Sequence, residues 1–468
     1  MSETETLFAA LRQSSDEAVV DMLERMVRDA ADHALNKVNA LDLARTEGMD
    51  EDRVIAALLN AVRLGLFEMT WNVMCPSCAG ILSANKSLKT VDRAQYECAF
   101  CAAGYETTLD HLVEVTFTIS PRVRKIAAHS PDELSAAEYY RQIFWSSALD
   151  LPTDLDRLLD ELTLELVDLP AGERAILSLH APQGTLIVFD PVTHTAQFLD
   201  VSGEETSERQ NLSVIFNKLQ VPVDTVALRP GPLRLALDNR TDARVLPAVW
   251  VASPALDNLL GRRKSVLTAT RLLTNQTFRD IYRTETLAIG QRLKILSLTF
   301  LFSDLKDSTA LYDRVGDLTA FDLVNEHFRL LQEIIASERG AVVKTIGDAV
   351  MATFETPDRA IAAAIRMREA MSDLGAARQH QSLLLKMGIH EGSCLAVTLN
   401  GQQDYFGQTV NIASRVQGLA ASRSIVVTES VVENALARAL LETNGLQPTP
   451  RRVALSGIAD RVSVYEIS

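Results

Sequence analysis

Asp304 and Asp348 are placed as a pair that could do chemistry. Asp304 ends the apolar run SLTFLFSD, and Asp348 follows Gly347 in VKTIGDAVMATF, where two strand-like runs meet. Glycine supplies the positive φ that a tight turn needs, so the carboxylate is held at a hairpin tip, exposed and aimed. If the first strand pairs beside this hairpin, the two carboxylates meet at one sheet edge with a backbone carbonyl near them. Such hard oxygen donors suit Mg²⁺ or Mn²⁺, and two such ions can clamp the attacking and leaving oxygens of a phosphoryl transfer. A second set is Cys75-Pro-Ser-Cys78 and, after nineteen residues, Cys98-Ala-Phe-Cys101. Paired CxxC knuckles at that spacing bring four thiolates around one tetrahedral Zn²⁺. They leave no open coordination position, so the ion is expected to be structural.

The elements that must position the carboxylates lie in 296–468, where strands and helices alternate. The pattern predicts the strand SLTFLFSD, a helix from Leu318 to Glu338, a hairpin over 343–354 and a helix from Pro357 to Asp373. The strand LLLKMGIH and a helix starting near Val410 follow. That order is expected of an α+β (α/β sandwich) domain with one sheet. Ahead of it, Leu272, Leu273, Phe278, Ile281, Tyr282 and Leu287 share one helical side of 267–292. This predicts a connecting helix packed on a neighbour or on a second copy.

Three motifs in this region occur together: Phe302-Ser-Asp304-Leu305, Lys344-Thr-Ile-Gly-Asp348, and DYFGQTVNIASR from Asp404 to Arg415. The combination resembles the class III nucleotidyl (adenylate/guanylate) cyclases over about 296–468. The resemblance implies that Asp304 and Asp348, helped by the Leu305 carbonyl, hold two Mg²⁺ or Mn²⁺ ions per catalytic site. Asn411 and Arg415, one helical turn apart, would stand over the ribose and phosphates, with Arg415 stabilising charge on the reacting phosphate. No protein nucleophile is implied, because the ribose 3′-hydroxyl attacks the α-phosphorus and pyrophosphate leaves.

In the same resemblance Lys344 and Asp404 select the base. Lysine only donates and an ionised aspartate only accepts, which matches the N1 acceptor and N6 donors of adenine. Guanine presents the reverse pattern, so ATP is the expected substrate and cyclic AMP the product. The family's sites lie between two cyclase domains, and one domain here carries the whole set, which implies a homodimer. The metal pair and Lys344 are expected from one subunit, with Asp404, Asn411 and Arg415 from the other. One departure is Leu455-Ser456-Gly457, where many relatives have a lysine before the glycine. Its absence implies weaker substrate binding, or replacement by Arg451 or Arg452.

The chain has 46 basic and 61 acidic residues, a net charge of −15, which argues against nucleic acid or an anionic membrane as its main partner. It has no apolar run long enough to span a bilayer, and its start is acidic where a secretory signal is basic, so a cytoplasmic location is expected. Residues 1–70 read as a helical, winged-helix-like segment, with two short helices around Gly48 and the strand pair LFEMTWNVM. Their 7 basic against 14 acidic residues disfavour DNA and favour a protein contact. Residues 71–108 read as a zinc ribbon. Residues 109–262 read as a β-rich, sandwich-like sensor domain with a helical stretch over 131–159, followed by the connecting helix in 263–295 and the catalytic domain over 296–468. His180, His194 and His390 are expected to be solvated or structural, and Cys394 a core thiol. The expected activity is that of an adenylate cyclase regulated through its N-terminal modules by an unknown ligand or protein. The alternatives are a guanylate cyclase, or a non-catalytic nucleotide sensor whose N-terminal modules bind DNA or a partner.

Overall fold

The computed structural model describes the whole chain except residues 1–2, 92, 218–223, 284–286, 289, 307–312, 314, 378–383, 422, 459–460 and 468. The chain divides into two units. The first holds 1–86, 93–107 and 111–267, and the second holds 87–92, 108–110 and 268–468.

In the first unit, short polar side chains start the helices. Asp16 accepts the Ala18 and Val19 amides at the head of Glu17–Asp29, Asn39 does the same for Ala40–Glu47, and Asp50 caps Glu51–Leu64. Gly48, at φ +65°, ends the helix Ala40–Glu47 in the left-handed region and turns the chain into Glu51–Leu64. Strand β1 (Phe67–Met74) then pairs antiparallel with β2 (Ile81–Asn85) and with β5 (Val113–Ile119). The expected strand pair within LFEMTWNVM is therefore one continuous strand. No glycine or proline interrupts it, and its buried Asn72 is satisfied sideways by Glu114 Oε1 at 3.2 Å and Thr116 Oγ1 at 3.0 Å. Between β2 and β5, β3 (Gln95–Cys98) and β4 (Ala103–Glu106) form a hairpin.

The expected helical stretch over 131–159 is broken into Ala136–Tyr139, a π-helical turn Tyr140–Phe144, and Leu155–Leu162. Pro152 lacks an amide hydrogen and cannot continue a helix from the preceding turn. The β-rich region forms two sheets. One holds β6 (Thr163–Leu166), β8 (Gly184–Asp190), β9 (Thr195–Val201), β11 (Val226–Leu228) and β13 (Ala248–Val251), and the other holds β7 (Arg174–Ala181), β10 (Gln210–Phe216) and β12 (Gly231–Asn239). Leu186, Val188 and Leu199 of the first meet Phe216, Leu233 and Leu235 of the second in a shared core, so the two sheets pack face to face.

The second unit is built on one sheet in the order β15-β16-β14-β17-β19-β21-β20, with β18 added beside β17. The strands are β14 (Leu293–Leu305), β15 (Gly340–Ile346), β16 (Ala349–Phe354), β17 (Leu385–Leu399), β18 (Gln402–Phe406), β19 (Ile425–Thr428), β20 (Thr449–Ala454) and β21 (Arg461–Ile467). Helices Asp317–Ser337 and Pro357–Ala377 cover it, burying Leu331, Ile335, Ile361 and Met367 against Leu301, Ala352 and Ile389. The predicted single connecting helix is instead two short helices, Ala269–Leu273 and Gln276–Ile281. Asn275 explains the break, since its side chain accepts the Phe278 amide at 3.0 Å and starts a new helix where the apolar stripe alone would continue the old one. Residues 284–286 and 289 of the predicted helix lie outside the described residues.

Candidate active site

Antiparallel pairing of β14 with β16 places the first carboxylate. Phe302 faces Met351 and Ser303 faces Val350, while the β15–β16 hairpin closes at Ile346 opposite Ala349, with Gly347 at φ +64° in the turn. Asp304, the next residue along β14, therefore lies beside the tip that carries Asp348. Burial, and then the Asp348 charge, raises the Asp304 carboxyl above its usual range, and Lys386, its cross-strand neighbour, opposes the rise. Among the described residues, Asp348 Oδ2 is buried with no hydrogen-bond partner. Two half-buried carboxylates that repel each other, one with an orphaned oxygen, are what a divalent cation would satisfy, so the donor set fits Mg²⁺ or Mn²⁺. Leu305 ends β14 within this edge, opposite Leu385. Sequence reasoning missed His327 and Lys386. His327 is buried close to Asp348, and burial lowers its pKa to about 4, which keeps it neutral. No motif flagged either residue, because a helix-face histidine and a strand lysine are ordinary in composition.

Lys344 and Asp404 meet directly, with Nζ 2.5 Å from Oδ2. Asp404 is 7% exposed and also accepts the Tyr405 amide at 2.8 Å. The expectation that these residues come from different subunits is corrected by this contact, because one chain assembles the pair. The register of the hairpin shows how Lys344 is aimed. Val342 faces Ala352 and Lys344 faces Met351, so Val343 is an extra residue in the ladder, a β-bulge that turns the strand at Lys344.

Asn411 and Arg415 sit four residues apart on the helix Gln408–Gln417, Asn411 exposed and Arg415 half-buried. The Arg415 guanidinium passes Gly457, where an added Cβ would lie 3.3 Å from Nη2 and where φ is +71°. That glycine therefore leaves the arginine its path and adopts a conformation that other residues resist. Arg451, one of two expected substitutes for the missing lysine, is engaged by Glu466 at 3.0 Å. Burial lowers the His390 pKa to about 4, its Nδ1 lies 2.7 Å from Thr428 Oγ1, and Cys394 is a buried thiol, as expected for structural groups.

In the first unit the four cysteine sulfurs lie within 4.8 Å of one another. The Cys75–Cys101 and Cys78–Cys98 separations are 3.8 and 3.6 Å. A tetrahedron with metal–sulfur bonds of about 2.3 Å has edges of about 3.8 Å, close to these two separations, so the donor set fits Zn²⁺. Hydrogen bonds from Cys101, then Cys78 and Cys98, favour the Cys75 thiolate. His180 is exposed near Glu205, and His194 packs beside Phe144 and Phe189, and among the described residues neither joins a ligand set.

Residues 1–280 match a family described as "Family of unknown function (DUF5939)", and residues 293–452 match the "Adenylate and Guanylate cyclase catalytic domain". An adenylate cyclase of Anabaena cylindrica is 26% identical over 278 residues, 55% of each chain. Adenylate cyclase 1 of Rhizobium meliloti is 25% identical over 136 residues, 26% of this chain and 20% of that one. The chain thus spans about half, or less, of the length of these curated relatives. The crystal structure of the adenylyl cyclase CyaB from P. aeruginosa aligns with a TM-score of 0.34 at 23% identity, over 38% of this chain and 96% of that one. Among the described residues, no helix is long and apolar enough to cross a membrane.

Proposed function

Because the chain belongs to the DUF5939 family and carries a class III adenylate and guanylate cyclase catalytic domain, we propose that it converts ATP into 3′,5′-cyclic AMP and pyrophosphate. The observation that carries this reading is the Lys344–Asp404 pair at 2.5 Å. Its donor faces the N1 acceptor of adenine and its acceptor faces the N6 amino group, while guanine would set like against like.

Asp304 and Asp348, with the Leu305 carbonyl, would hold two Mg²⁺ or Mn²⁺ ions, which when bound supply charge neutralisation and activation of the 3′-hydroxyl. The remaining roles belong to side chains of this chain. Asn411 orients the ribose so that its 3′-oxygen stands in line with the α-phosphorus. Arg415 donates to the phosphate oxygens where charge builds in the transition state, at a position already formed before reaction. Asn411 and Arg415 of one subunit complete the metal edge of another, which makes the active form a homodimer with two equivalent sites. The cysteine cluster holds one structural Zn²⁺, and residues 1–262 form the regulatory region.

Two measurements test the reading. The purified protein is expected to form cyclic AMP from ATP faster than cyclic GMP from GTP at equal nucleotide, and the opposite order would refute the base assignment. Mixing an Asp304→Ala chain with an Arg415→Ala chain, each inactive alone, is expected to restore activity through one intact site per heterodimer. No recovery in a dimer shown to have exchanged subunits would refute the shared site.

A further inference from the structure

The strands that carry Lys344 and Asp404 are not neighbours in the sheet. β15 pairs with β16, β18 pairs with β17, and no ladder joins β15 to β18. Sheet hydrogen bonding therefore does not fix the distance between the two base-reading residues. What spans them is the short helix Gln276–Ile281 ahead of the sheet. Gln276 Oε1 accepts the Val342 amide at 2.8 Å, and Arg279 Nη2 donates to the Val343 carbonyl at 3.3 Å and to the Gln403 carbonyl at 3.0 Å. Those carbonyls belong to the residues immediately before Lys344 and Asp404. Val343 is the bulged residue, with no partner in the β15–β16 ladder, so Arg279 takes up the carbonyl that the bulge leaves over.

We propose that Arg279 is a positioning residue for base recognition: one guanidinium group ties together the two strand segments that aim Lys344 and Asp404, and so sets the preference for adenine. The inference rests on the reading of that pair under Proposed function and adds the residue that holds it. A planar guanidinium suits the task, since both bonds come from the two hydrogens of Nη2, whose directions are fixed in the guanidinium plane, whereas an ammonium on a flexible stem has no fixed plane. Loss of the bridge lets β15 and β18 drift independently, and a donor–acceptor pair that reads a base edge tolerates little drift.

The test uses the full chain with Arg279→Lys, which keeps the charge, and Arg279→Ala, alongside Lys344→Ala as the reference for lost base reading. Folding is checked by circular dichroism, and KM and kcat are measured with ATP and with GTP. Both Arg279 variants are expected to raise the KM for ATP and lower the ATP-over-GTP preference by roughly tenfold, the size of one lost charge-assisted hydrogen bond, with a smaller change in kcat. A merely structural role would lower the active fraction and so kcat, leaving KM and preference unmoved. If Lys344→Ala loses the preference while folded Arg279→Lys keeps both KM and preference within twofold of wild type, this inference is overturned and the base reading stands. If Lys344→Ala itself leaves the preference unchanged, the base reading fails and this inference falls with it.

Discussion

Replacing Asp404 by alanine removes the acceptor of the proposed base-reading pair, and the consequence can be worked from its contacts. Asp404 is 7% exposed, accepts the Tyr405 amide at 2.8 Å and lies 2.5 Å from Lys344 Nζ. In the proposed complex its carboxylate also accepts from the adenine N6 group, and one hydrogen bond to a charged group contributes about 1.5–3 kcal/mol. At about 1.4 kcal/mol per factor of ten, kcat/KM for ATP should fall roughly 10- to 150-fold. GTP gains nothing from the carboxylate, so its kcat/KM should change by less than about threefold. The effect on stability is smaller, because the Lys344 side chain is 39% exposed and solvent takes over its charge. A loss of about 1–2 kcal/mol, mainly from the unsatisfied Tyr405 amide, is expected. The assay is steady-state turnover of both nucleotides, with thermal unfolding measured on the same preparations. Equal losses for ATP and GTP, or a loss with ATP below threefold in folded protein, would refute the reasoning.

Purified protein is expected to contain one zinc per chain, and Cys98→Ala is expected to lose the metal and lower the melting temperature of the first unit, read by metal analysis and calorimetry; full thermal stability without metal would contradict the site. Acid should destabilise the second unit through His390, whose folded pKa is about 4 against an ordinary value of 6.5. The unfolded chain binds this proton as pH falls through 6.5 while the folded chain refuses it until about 4, so stability is lost across that window and the loss is complete below it. The contribution is at most about 3 kcal/mol, and His390→Gln should flatten the stability curve between those pH values; an unchanged curve would show that the histidine is not held neutral.

The carboxylate edge was legible in the sequence because strand patterning and Gly347 are local signals, and the register that brings Asp304 beside Asp348 follows once the two strands pair. Asn411 and Arg415 were named through the resemblance of DYFGQTVNIASR, and their spacing of four residues on a helix added only that they share a face. That Lys344 and Asp404 meet within one chain was not legible, since a contact between β15 and β18 depends on the curl of the whole sheet and leaves no periodic trace in the chain. Arg279 was hidden in the same way. Its role depends on a bulge at Val343, and VVKTI reads as a regular strand until the ladder is seen. The connecting helix failed on a cap, because six apolar residues at helical spacing outweighed Asn275 in the pattern although one side-chain hydrogen bond suffices to restart the chain. In the first unit, the strand-and-turn texture of 109–262 was readable, whereas the stretch over 131–159 ends its helical turn at Phe144, where Trp145 is extended, and Pro152 then lies ahead of the next helix.

The central claim is that the Asp304–Asp348 edge supports cyclisation of ATP, and the most direct test is cyclic AMP and pyrophosphate formation by wild type and Asp348→Ala with ATP and Mn²⁺ or Mg²⁺. Wild type is expected to release the two products in equal amounts, and folded Asp348→Ala to lose activity by about a hundredfold or more, as expected when a group that organises transition-state charge is removed. Activity in Asp348→Ala within a few-fold of wild type, or no cyclic nucleotide from wild type with either metal, would contradict it.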